Sequence, residues 1–176
     1  MSNKGLLIVL SAPSGAGKST ICRSYLRKNP GTVYSVSFTT RPPRKGEENG
    51  VDYFFVTEDK FSDMVRKNAF LEHAGVFGHR YGTGRALIEN ALKRGKDVLL
   101  DIDVQGAVQL MRKVQGIFIF VLPPSRKALA ARLRGRKTDA GSEILKRLKI
   151  AGKEISYINR YDYAIINNKL SESLSL

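Results

Sequence analysis

A glycine-rich segment near the N-terminus has the residue types and spacing that bind a chain of phosphates. The segment Ala12–Ser19 reads APSGAGKS, and its small residues allow backbone N–H groups to turn inward around anionic oxygens. Lys18 can reach the outer phosphates, and the Ser19 hydroxyl can ligate Mg²⁺. Ala12 stands where the usual pattern has glycine, which costs little if its φ is negative.

The residues on either side of this segment support a phosphate-binding loop. Leu6–Leu10 form a continuous apolar run before it, and the stretch from Ser19 to Lys28 favours a helix after it. A helix N-terminus adds positive potential beside bound phosphates. The order of strand, loop and helix favours nucleotide binding over the alternative of a plain glycine-rich turn.

Two aspartates follow a second apolar strand. Asp101 and Asp103 come directly after the run Asp97–Leu100. Ligands of open parallel sheets bind beyond the carboxyl ends of the strands, so both carboxylates are expected in the same crevice as the phosphate loop. Asp101 is predicted to support Mg²⁺ through water, with a solvated turn as the alternative. Asp103 could instead cap the helix that begins at Val104.

A third segment carries paired arginines. Ser37–Arg44 reads SFTTRPPR, and its two prolines stiffen the chain so that Arg41 and Arg44 are held as charged forks suited to a phosphate. The turn Gly46–Tyr53 then delivers Tyr53. Taken alone, each piece could equally be a solvated surface loop.

Composition leaves several kinds of partner open. The 176 residues include 30 Lys and Arg against 16 Asp and Glu, a formal net charge of +14. Nucleic acids, polyanionic small ligands and a generally basic surface would each account for this charge. The basic stretch Arg126–Lys137 lacks interleaved aromatic residues, which argues against a base-stacking platform. Cys22 is the single cysteine, so a cytoplasmic location without disulfides is expected, and no apolar run approaches the ~18 residues of a membrane helix.

Apolar strands alternate with amphipathic helices along most of the chain, which is typical of an α/β fold. The prediction is a parallel sheet of the P-loop NTPase type, flanked by helices, that uses residues 1–31, 84–124 and 158–176. Residues 32–83, with short strands and a helix capped by Thr57, predict an inserted small mixed α/β lobe. Residues 125–157 predict a lid of two basic helices, capped by Ser125 and Ser142. The strands are predicted at Leu6–Leu10, Val98–Leu100, Ile117–Leu122 and Ala164–Ile166.

These segments together resemble the guanylate kinase family over nearly the whole chain. The resemblance implies transfer of the γ-phosphoryl group of ATP to GMP, giving ADP and GDP, with Mg²⁺, as a step of purine nucleotide metabolism. The matching motifs are Ser11–Thr20 (SAPSGAGKST), Val36–Arg44 (VSFTTRPPR), Gly46–Phe55 (GEENGVDYFF), Phe70–Ala74 (FLEHA), Tyr81–Gly82, Leu100–Gly106 (LDIDVQG), Leu122–Ser125 (LPPS), Arg132–Arg136 (RLRGR) and Tyr161–Asn167 (YDYAIIN).

The resemblance implies a role for each matching residue. The catalytic set is Lys18 with the lid arginines Arg132, Arg136 and Arg147, and the metal set is Ser19 and Asp101. The lobe is expected to be a GMP-binding lobe. The phosphate of GMP would meet Arg41, Arg44, Tyr53 and Tyr81, and its guanine would meet Ser37, Glu72, Thr83 and Asp103. ATP would bind Ser11, Ala12, Pro13, Ser14, Gly15, Ala16, Gly17, Lys18, Ser19, Thr20 and Asn167, the last near adenine.

The chemistry of these residues agrees with the implied reaction. A carboxylate such as Glu72 can accept both the N1–H and the N2–H₂ of guanine, and adenine lacks this pair of donors. The attacking phosphate oxygen is already ionised at neutral pH, so positioning and charge neutralisation suffice without a general base. His73 and His79 are accordingly interpreted as packing or surface residues.

The sequence departs from the family pattern in three places. Thr83 stands where serine is usual, and Asn168 follows Asn167 where aspartate is common. Family members usually continue past the position of Leu176 with another helix, and without that helix an exposed apolar patch is expected.

Three other functions are alternatives for this sequence. The first is a non-catalytic guanylate-kinase-like module that binds proteins, and Lys18 argues against it. The second is a kinase for a phosphorylated sugar, and Glu72 argues against that. The third is RNA binding as a secondary activity only. The expected partners are therefore ATP and GMP, with dGMP also accepted, no membrane and no obligatory nucleic acid, while the oligomeric state stays open.

Overall fold

The computed structural model describes residues 4–76, 78–135 and 141–170. Within these ranges the chain forms nine strands, six α-helices and a short 3₁₀ helix at Ile158–Arg160. The strands are β1 (Leu7–Ser11), β2 (Val33–Ser35), β3 (Phe38–Thr39), β4 (Phe54–Phe55), β5 (Phe70–Val76), β6 (His79–Gly84), β7 (Val98–Ile102), β8 (Ile117–Leu122) and β9 (Tyr163–Ile166). The helices are α1 (Lys18–Lys28), α2 (Glu58–Arg66), α3 (Arg85–Lys93), α4 (Val104–Met111), α5 (Arg126–Gly135) and α6 (Gly141–Ile155).

The larger sheet is the parallel sheet that the alternating pattern predicts. Its strand order is β2-β7-β1-β8-β9, and the pairs β2–β7, β1–β8 and β8–β9 are parallel. The α/β fold class is therefore confirmed, and each predicted strand lies within one or two residues of an observed one. Strands such as Val98–Leu100 are almost completely buried, which explains why they read as continuous apolar runs without alternation.

The chain forms two compact units, each with its own core. The first contains the chain before Ile8 together with Gly31–Leu100 and Gln105–Gln115. The second contains Ile8–Pro30, Asp101–Val104 and the chain from Gly116 onward. No helix in the described ranges is long and apolar enough to cross a membrane.

In the first unit, a four-stranded sheet of order β4-β3-β6-β5 packs on aromatic side chains. The rings of Phe61 and Phe70 lie 4.6 Å apart, and those of Phe38 and Phe54 lie 4.7 Å apart. Phe61 is completely buried because α2 presents it inward, and Thr57 caps this helix by accepting the N–H of Lys60. The predicted cap at Thr57 is thus confirmed, and the core fixes the strands that carry the predicted site residues of this unit.

In the second unit, α5 and α6 pack through a small apolar cluster. Ser125 accepts the N–H of Ala128 at 3.0 Å and so caps α5 as predicted. Residues 136–140, including the predicted site residue Arg136, and the side chain of the predicted cap Ser142 lie outside the described part of the chain. The cluster consists of Leu129, Leu133, Ile144, Leu148 and Ala151.

Candidate active site

The glycine-rich loop between β1 and α1 has the backbone that a phosphate cradle needs. Gly15 and Gly17 adopt φ angles of 94° and 95°, in the left-handed region, and Gly17 is the N-cap of α1. A Cβ on Gly17 would collide with the amide nitrogen of Asn167. Asn68 is the one described non-glycine residue with a positive φ, so Ala12 is unstrained in its place. The first N–H groups of α1, at Lys18 and Ser19, have no partner within the helix and are available to an anion.

Lys18 is bound at its amino group by the end of β7. Its Nζ lies 2.6 Å from Asp101 Oδ1 and also donates to the carbonyl of Ile102. Burial acts to lower the pKa of Lys18, but the Asp101 carboxylate outweighs it, so the pKa lies above its ordinary value. The lysine is therefore charged, and the two residues predicted to meet phosphate and metal are brought together.

Arg132 and Asn167 bind the backbone of the same loop. Arg132 donates to the carbonyls of Ala16 (3.1 Å) and Asn167 (2.9 Å). The Asn167 side chain donates to the Ala16 carbonyl at 2.8 Å. A cavity of about 390 Å³ opens beside these residues, large enough to take part of a small planar ligand. It is lined by Gly15, Gly17, Thr20, Arg132, Asn167, Asn168 and Leu170.

Arg147 reaches the loop from α6. Its Nη1 donates to the hydroxyl of Ser14 at 3.0 Å. Two of the three predicted lid arginines, Arg132 and Arg147, therefore contact the phosphate loop directly. The third, Arg136, lies outside the described residues.

The residues predicted to hold Mg²⁺ fit the way that this ion binds in nucleotide sites. Ser19 is the second residue of α1, and Asp101 touches Lys18, the first. The described ranges contain no group of three or more His, Cys, Asp or Glu side chains able to hold a metal. Mg²⁺ usually takes one or two protein oxygens and completes its octahedron with phosphates and water, so a sparse donor set suits it.

A second carboxyl group near Lys18 has unusual electrostatics. Burial raises the pKa of Glu154 on α6 to about 7, and the negative charge of Asp103 adds to this effect, while Lys18 opposes it. Burial likewise raises the pKa of Tyr161 to about 12. A carboxyl group close to the lysine is thus partly protonated at neutral pH.

In the first unit, Glu72 and Thr83 form a buried pair across two strands. They lie opposite each other in the register of β5 and β6, and the Thr83 hydroxyl donates to Glu72 Oε1. Glu72 is 4% exposed and Thr83 is fully buried. Gly106 on α4 leaves room for the carboxylate, because a Cβ there would overlap Glu72 Oε2. The glutamate is therefore held in one orientation.

Two side chains of the α4 segment hold the strand on either side of Glu72. β5 is the last strand of its sheet, so its outer carbonyls face no other strand among the described residues. Lys113 Nζ donates to the carbonyl of Leu71 at 3.1 Å, and Gln109 donates to the carbonyl of His73 at 2.9 Å. Glu72 thus projects from a strand that is fixed at both neighbouring residues.

Arg41 sits among aromatic rings and a carboxylate. Its guanidinium lies 5.4 Å from the Tyr53 ring, which in turn meets the Tyr81 ring at 5.9 Å. Arg41 Nη2 lies 2.9 Å from both oxygens of Glu47. Burial acts to lower the pKa of Arg41, but Glu47 and Tyr81 raise it. Three of the four residues predicted to meet the GMP phosphate are therefore clustered.

Three residues predicted to bind GMP remain: Ser37 and Arg44 belong to the first unit, and Asp103 belongs to the second. The carbonyl of Ser37 accepts the N–H of Phe54 and so joins β4 to the segment before β3. Arg44 is exposed and donates its backbone N–H to Glu47. Asp103 belongs to the second unit and directly precedes α4.

Several contacts were not predicted from the sequence. The sequence analysis assigns no role to four residues that make these contacts: Glu47, Gln109, Lys113 and Glu154. For Glu47, an acidic residue three positions after Arg44 is a local sign that the two could form a turn contact. His73 packs its ring 6.3 Å from that of Phe61, and burial lowers the pKa of His73. Cys22 is buried and burial raises the pKa of its thiol, which disfavours the reactive thiolate.

Comparison with known proteins gives one consistent family. Residues 4–176 match the family model described as guanylate kinase. The chain is 49% identical over 171 residues to the guanylate kinase of Clostridioides difficile, covering 97% of this chain and 83% of that protein. It is 46% identical over 172 residues to the guanylate kinase of Clostridium tetani, covering 97% and 82%. A crystal structure of guanylate kinase from Anaplasma phagocytophilum superposes with a TM-score of 0.82 at 37% identity, covering 99% of this chain and 83% of that one.

Replacing Gly106 with alanine should destabilise the protein through Glu72. The added methyl group overlaps the buried carboxylate, so Gly106→Ala should lower the free energy of unfolding by about 1–3 kcal/mol in urea denaturation. Gly152→Ala is the matched control, because it adds a methyl group to a helical glycine with open space around it. The control should raise stability by about 0.5–1 kcal/mol. Equal effects of the two substitutions would contradict the close packing of Gly106 on Glu72.

The raised pKa of Glu154 predicts that the wild-type protein loses stability at high pH and that the Glu154→Gln variant does not. A carboxyl group whose pKa is higher in the folded chain binds its proton more tightly there, so stability falls as the pH rises through its ordinary value towards about 7. Glu154→Gln removes this loss. The variant should match the wild type near about pH 4 and exceed it in unfolding free energy near about pH 8. Urea denaturation of both proteins across this range measures the difference, and a variant that is less stable at high pH would contradict it.

Proposed function

Because this chain belongs to the guanylate kinase family and so transfers the γ-phosphoryl group of ATP to GMP, giving ADP and GDP, we propose which of its residues perform each part of that reaction. The observation that carries the assignment is the phosphate loop, with left-handed Gly15 and Gly17 and with Lys18 on Asp101. A non-catalytic protein-binding module would have no need of this apparatus.

The donor nucleotide is assigned to the second unit. The loop Ser11–Thr20 would surround the ATP phosphates with backbone N–H groups. The Lys18 amino group, which contacts Asp101, would shift part of its bonding to the outer phosphates. The cavity beside Asn167 is where we place the adenine. Its wall contains Asn168 and Leu170, so an amide can donate a hydrogen bond to the base and a leucine can pack on it. The family often has aspartate at the position of Asn168.

Mg²⁺ would be held by Ser19 directly and by Asp101 through water. When bound, the ion neutralises charge on the phosphate oxygens and helps to orient them. The chain's own contribution is to fix the two donors: Ser19 by its place in the first turn of α1, and Asp101 by its contact with Lys18.

The acceptor nucleotide is assigned mainly to the first unit. Glu72, fixed by Thr83, would accept the N1–H and N2–H₂ of guanine, with Ser37 and Asp103 as further guanine contacts. Arg41, Arg44, Tyr53 and Tyr81 would bind the phosphate, and dGMP is expected to be accepted because none of these residues is assigned to the ribose 2′-hydroxyl. Each assigned group thus binds or orients, and none has to remove a proton.

The transfer step rests on cations around the migrating phosphoryl group. Arg132, Arg136 and Arg147 would act with Lys18 to neutralise the charge that spreads over its equatorial oxygens. Arg132 and Arg147 donate to Ala16 and Ser14, which supports their assignment to the phosphate loop. An arginine aimed at this transition state can contribute about 10³–10⁵ in rate.

The three-part organisation and the location of the protein are also proposals. We assign residues 1–31, 84–124 and 158–176 to the catalytic core, 32–83 to the GMP-binding lobe and 125–157 to the lid. The buried, protonated Cys22 agrees with a reducing compartment such as the cytoplasm.

Removing the loop lysine should stop turnover but spare GMP binding. A coupled assay of ADP release with Mg²⁺-ATP should give rapid turnover with GMP and little with AMP, CMP or UMP. Lys18→Met should lower kcat by about 10²-fold or more while the Kd of GMP changes by less than about twofold. Lys28→Met, an exposed lysine of the same helix, serves as the control and should keep wild-type turnover. A Lys18→Met enzyme with wild-type kcat would disprove the loop assignment.

Changing Glu72 should reduce discrimination between GMP and AMP. Glutamine keeps the size of the side chain, but it presents one acceptor and one donor where guanine offers two donors. Glu72→Gln should lower the ratio of kcat/KM for GMP over AMP by about 10²-fold, mostly by loss with GMP. The exposed Glu48→Gln is the control and should leave the ratio unchanged. An unchanged ratio in Glu72→Gln would place guanine recognition elsewhere.

A further inference from the structure

Glu47 forms an ion pair with Arg41, a residue that we assign to the acceptor phosphate. Both carboxylate oxygens of Glu47 lie 2.9 Å from Arg41 Nη2. The pair is largely shielded from water, since the side chains of Arg41 and Glu47 are 10% and 18% exposed. An ion pair with so little exposure holds its geometry far better than one on an open surface.

The same carboxylate also fixes the backbone at Arg44. Glu47 Oε2 accepts the Arg44 N–H at 2.7 Å, and the N–H of Glu47 donates to the Arg44 carbonyl at 3.0 Å. These two bonds close a tight turn, in which Gly46 supplies the left-handed φ of 86°. One side chain thus connects the guanidinium of Arg41 with the segment that carries the second phosphate-binding arginine.

The other contacts of Arg41 leave it little freedom. Nη1 donates to the carbonyl of Pro42 at 2.8 Å, and the guanidinium lies 5.4 Å and 5.9 Å from the rings of Tyr53 and Phe55. The N–H of Arg41 donates to Thr39 Oγ1 at 3.1 Å. An arginine has five N–H donors, so these bonds orient the fork and still leave donors for a ligand.

We propose that Glu47 is a positioning residue, whose carboxylate holds Arg41 and the Arg44 turn in the arrangement that binds the phosphate of GMP. The inference rests on the proposed function, because it requires Arg41 to meet that phosphate. Glu47 itself does not touch the ligand. Its negative charge opposes the phosphate, yet the order it imposes on two arginines outweighs that repulsion.

The electrostatics of the pair agree with this role. Although burial acts to raise the pKa of Glu47, its bonds to Arg41 and to the Arg44 N–H outweigh that effect and hold the pKa below its usual range. Glu47 is therefore ionised at neutral pH and keeps both contacts. The conformational entropy of Arg41 and the Arg44 turn is then lost during folding and not when GMP binds.

The test compares binding of GMP and guanosine, which differ by the phosphate alone. Glu47→Gln keeps the length of the side chain but turns one acceptor into a donor that faces Arg41 Nη2 or the Arg44 N–H. By isothermal titration calorimetry, Glu47→Gln should raise the Kd of GMP about tenfold and change the Kd of guanosine by less than about twofold. Glu48→Gln removes the same charge one residue away, where the side chain is exposed, and should match the wild type for both ligands.

A double-mutant cycle shows whether Glu47 acts through the arginine. Arg41→Met should weaken GMP binding by itself, and adding Glu47→Gln to it should cost clearly less than the roughly tenfold that Glu47→Gln costs in the wild type, the remainder being the part that acts through the Arg44 turn. If Arg41→Met leaves GMP binding intact, the phosphate assignment in the proposed function fails. If Arg41→Met weakens binding and Glu47→Gln does not, the present inference alone fails.

Two further outcomes would overturn the inference. Tighter GMP binding by Glu47→Gln would show that the carboxylate competes with the phosphate for Arg41. Equal weakening of GMP and guanosine would show a general structural role.

Glu47→Asp keeps the charge but shortens the side chain by one methylene group, so an intermediate Kd for GMP is expected. A wild-type Kd would contradict the positioning role, because it would show that the charge alone matters and not the contacts.

Discussion

The ion pair between Lys18 and Asp101 is the interaction on which the second unit is organised. It joins the first residue of α1 to the C-terminal end of β7, at the edge of the parallel sheet where the phosphate loop begins its turn. The loop between β1 and α1 can then be short and glycine-rich, because its far end is fixed by a charge interaction that is largely protected from water. Arg132, Arg147 and Asn167 add bonds to the loop from three other places in the chain.

A common feature of both units is that the cations proposed to meet phosphate have acceptors inside the protein. Lys18 has a carboxylate and a carbonyl, Arg41 has a carboxylate and a carbonyl, and Arg132 has two carbonyls. Such partners reduce the repulsion within a chain whose net charge is +14. They also hold these side chains in defined positions, which under the proposed assignment lowers the entropy lost when phosphate binds.

The sequence predicts most of the fold and supplies the candidate site residues, but it does not predict the contacts among them. Apolar runs and the loop motif locate β1, β7 and α1, since buried parallel strands and glycine-dependent turns leave a direct trace in residue type. The pairing of Glu72 with Thr83 depends on the register of β5 and β6, which no local pattern encodes. The pKa of Glu154 depends on burial contributed by residues far away in the chain, so residue type alone cannot indicate it.

The side chains bound to the outer edge of β5 have a consequence for solubility. An edge strand with unpaired carbonyls is a template for pairing with a strand of another molecule, which is a common route to aggregation. Lys113 and Gln109 occupy the carbonyls of Leu71 and His73, and the lysine also places a positive charge beside this edge. The same contacts that hold the strand around Glu72 therefore occupy two of the carbonyls that edge-to-edge pairing would use.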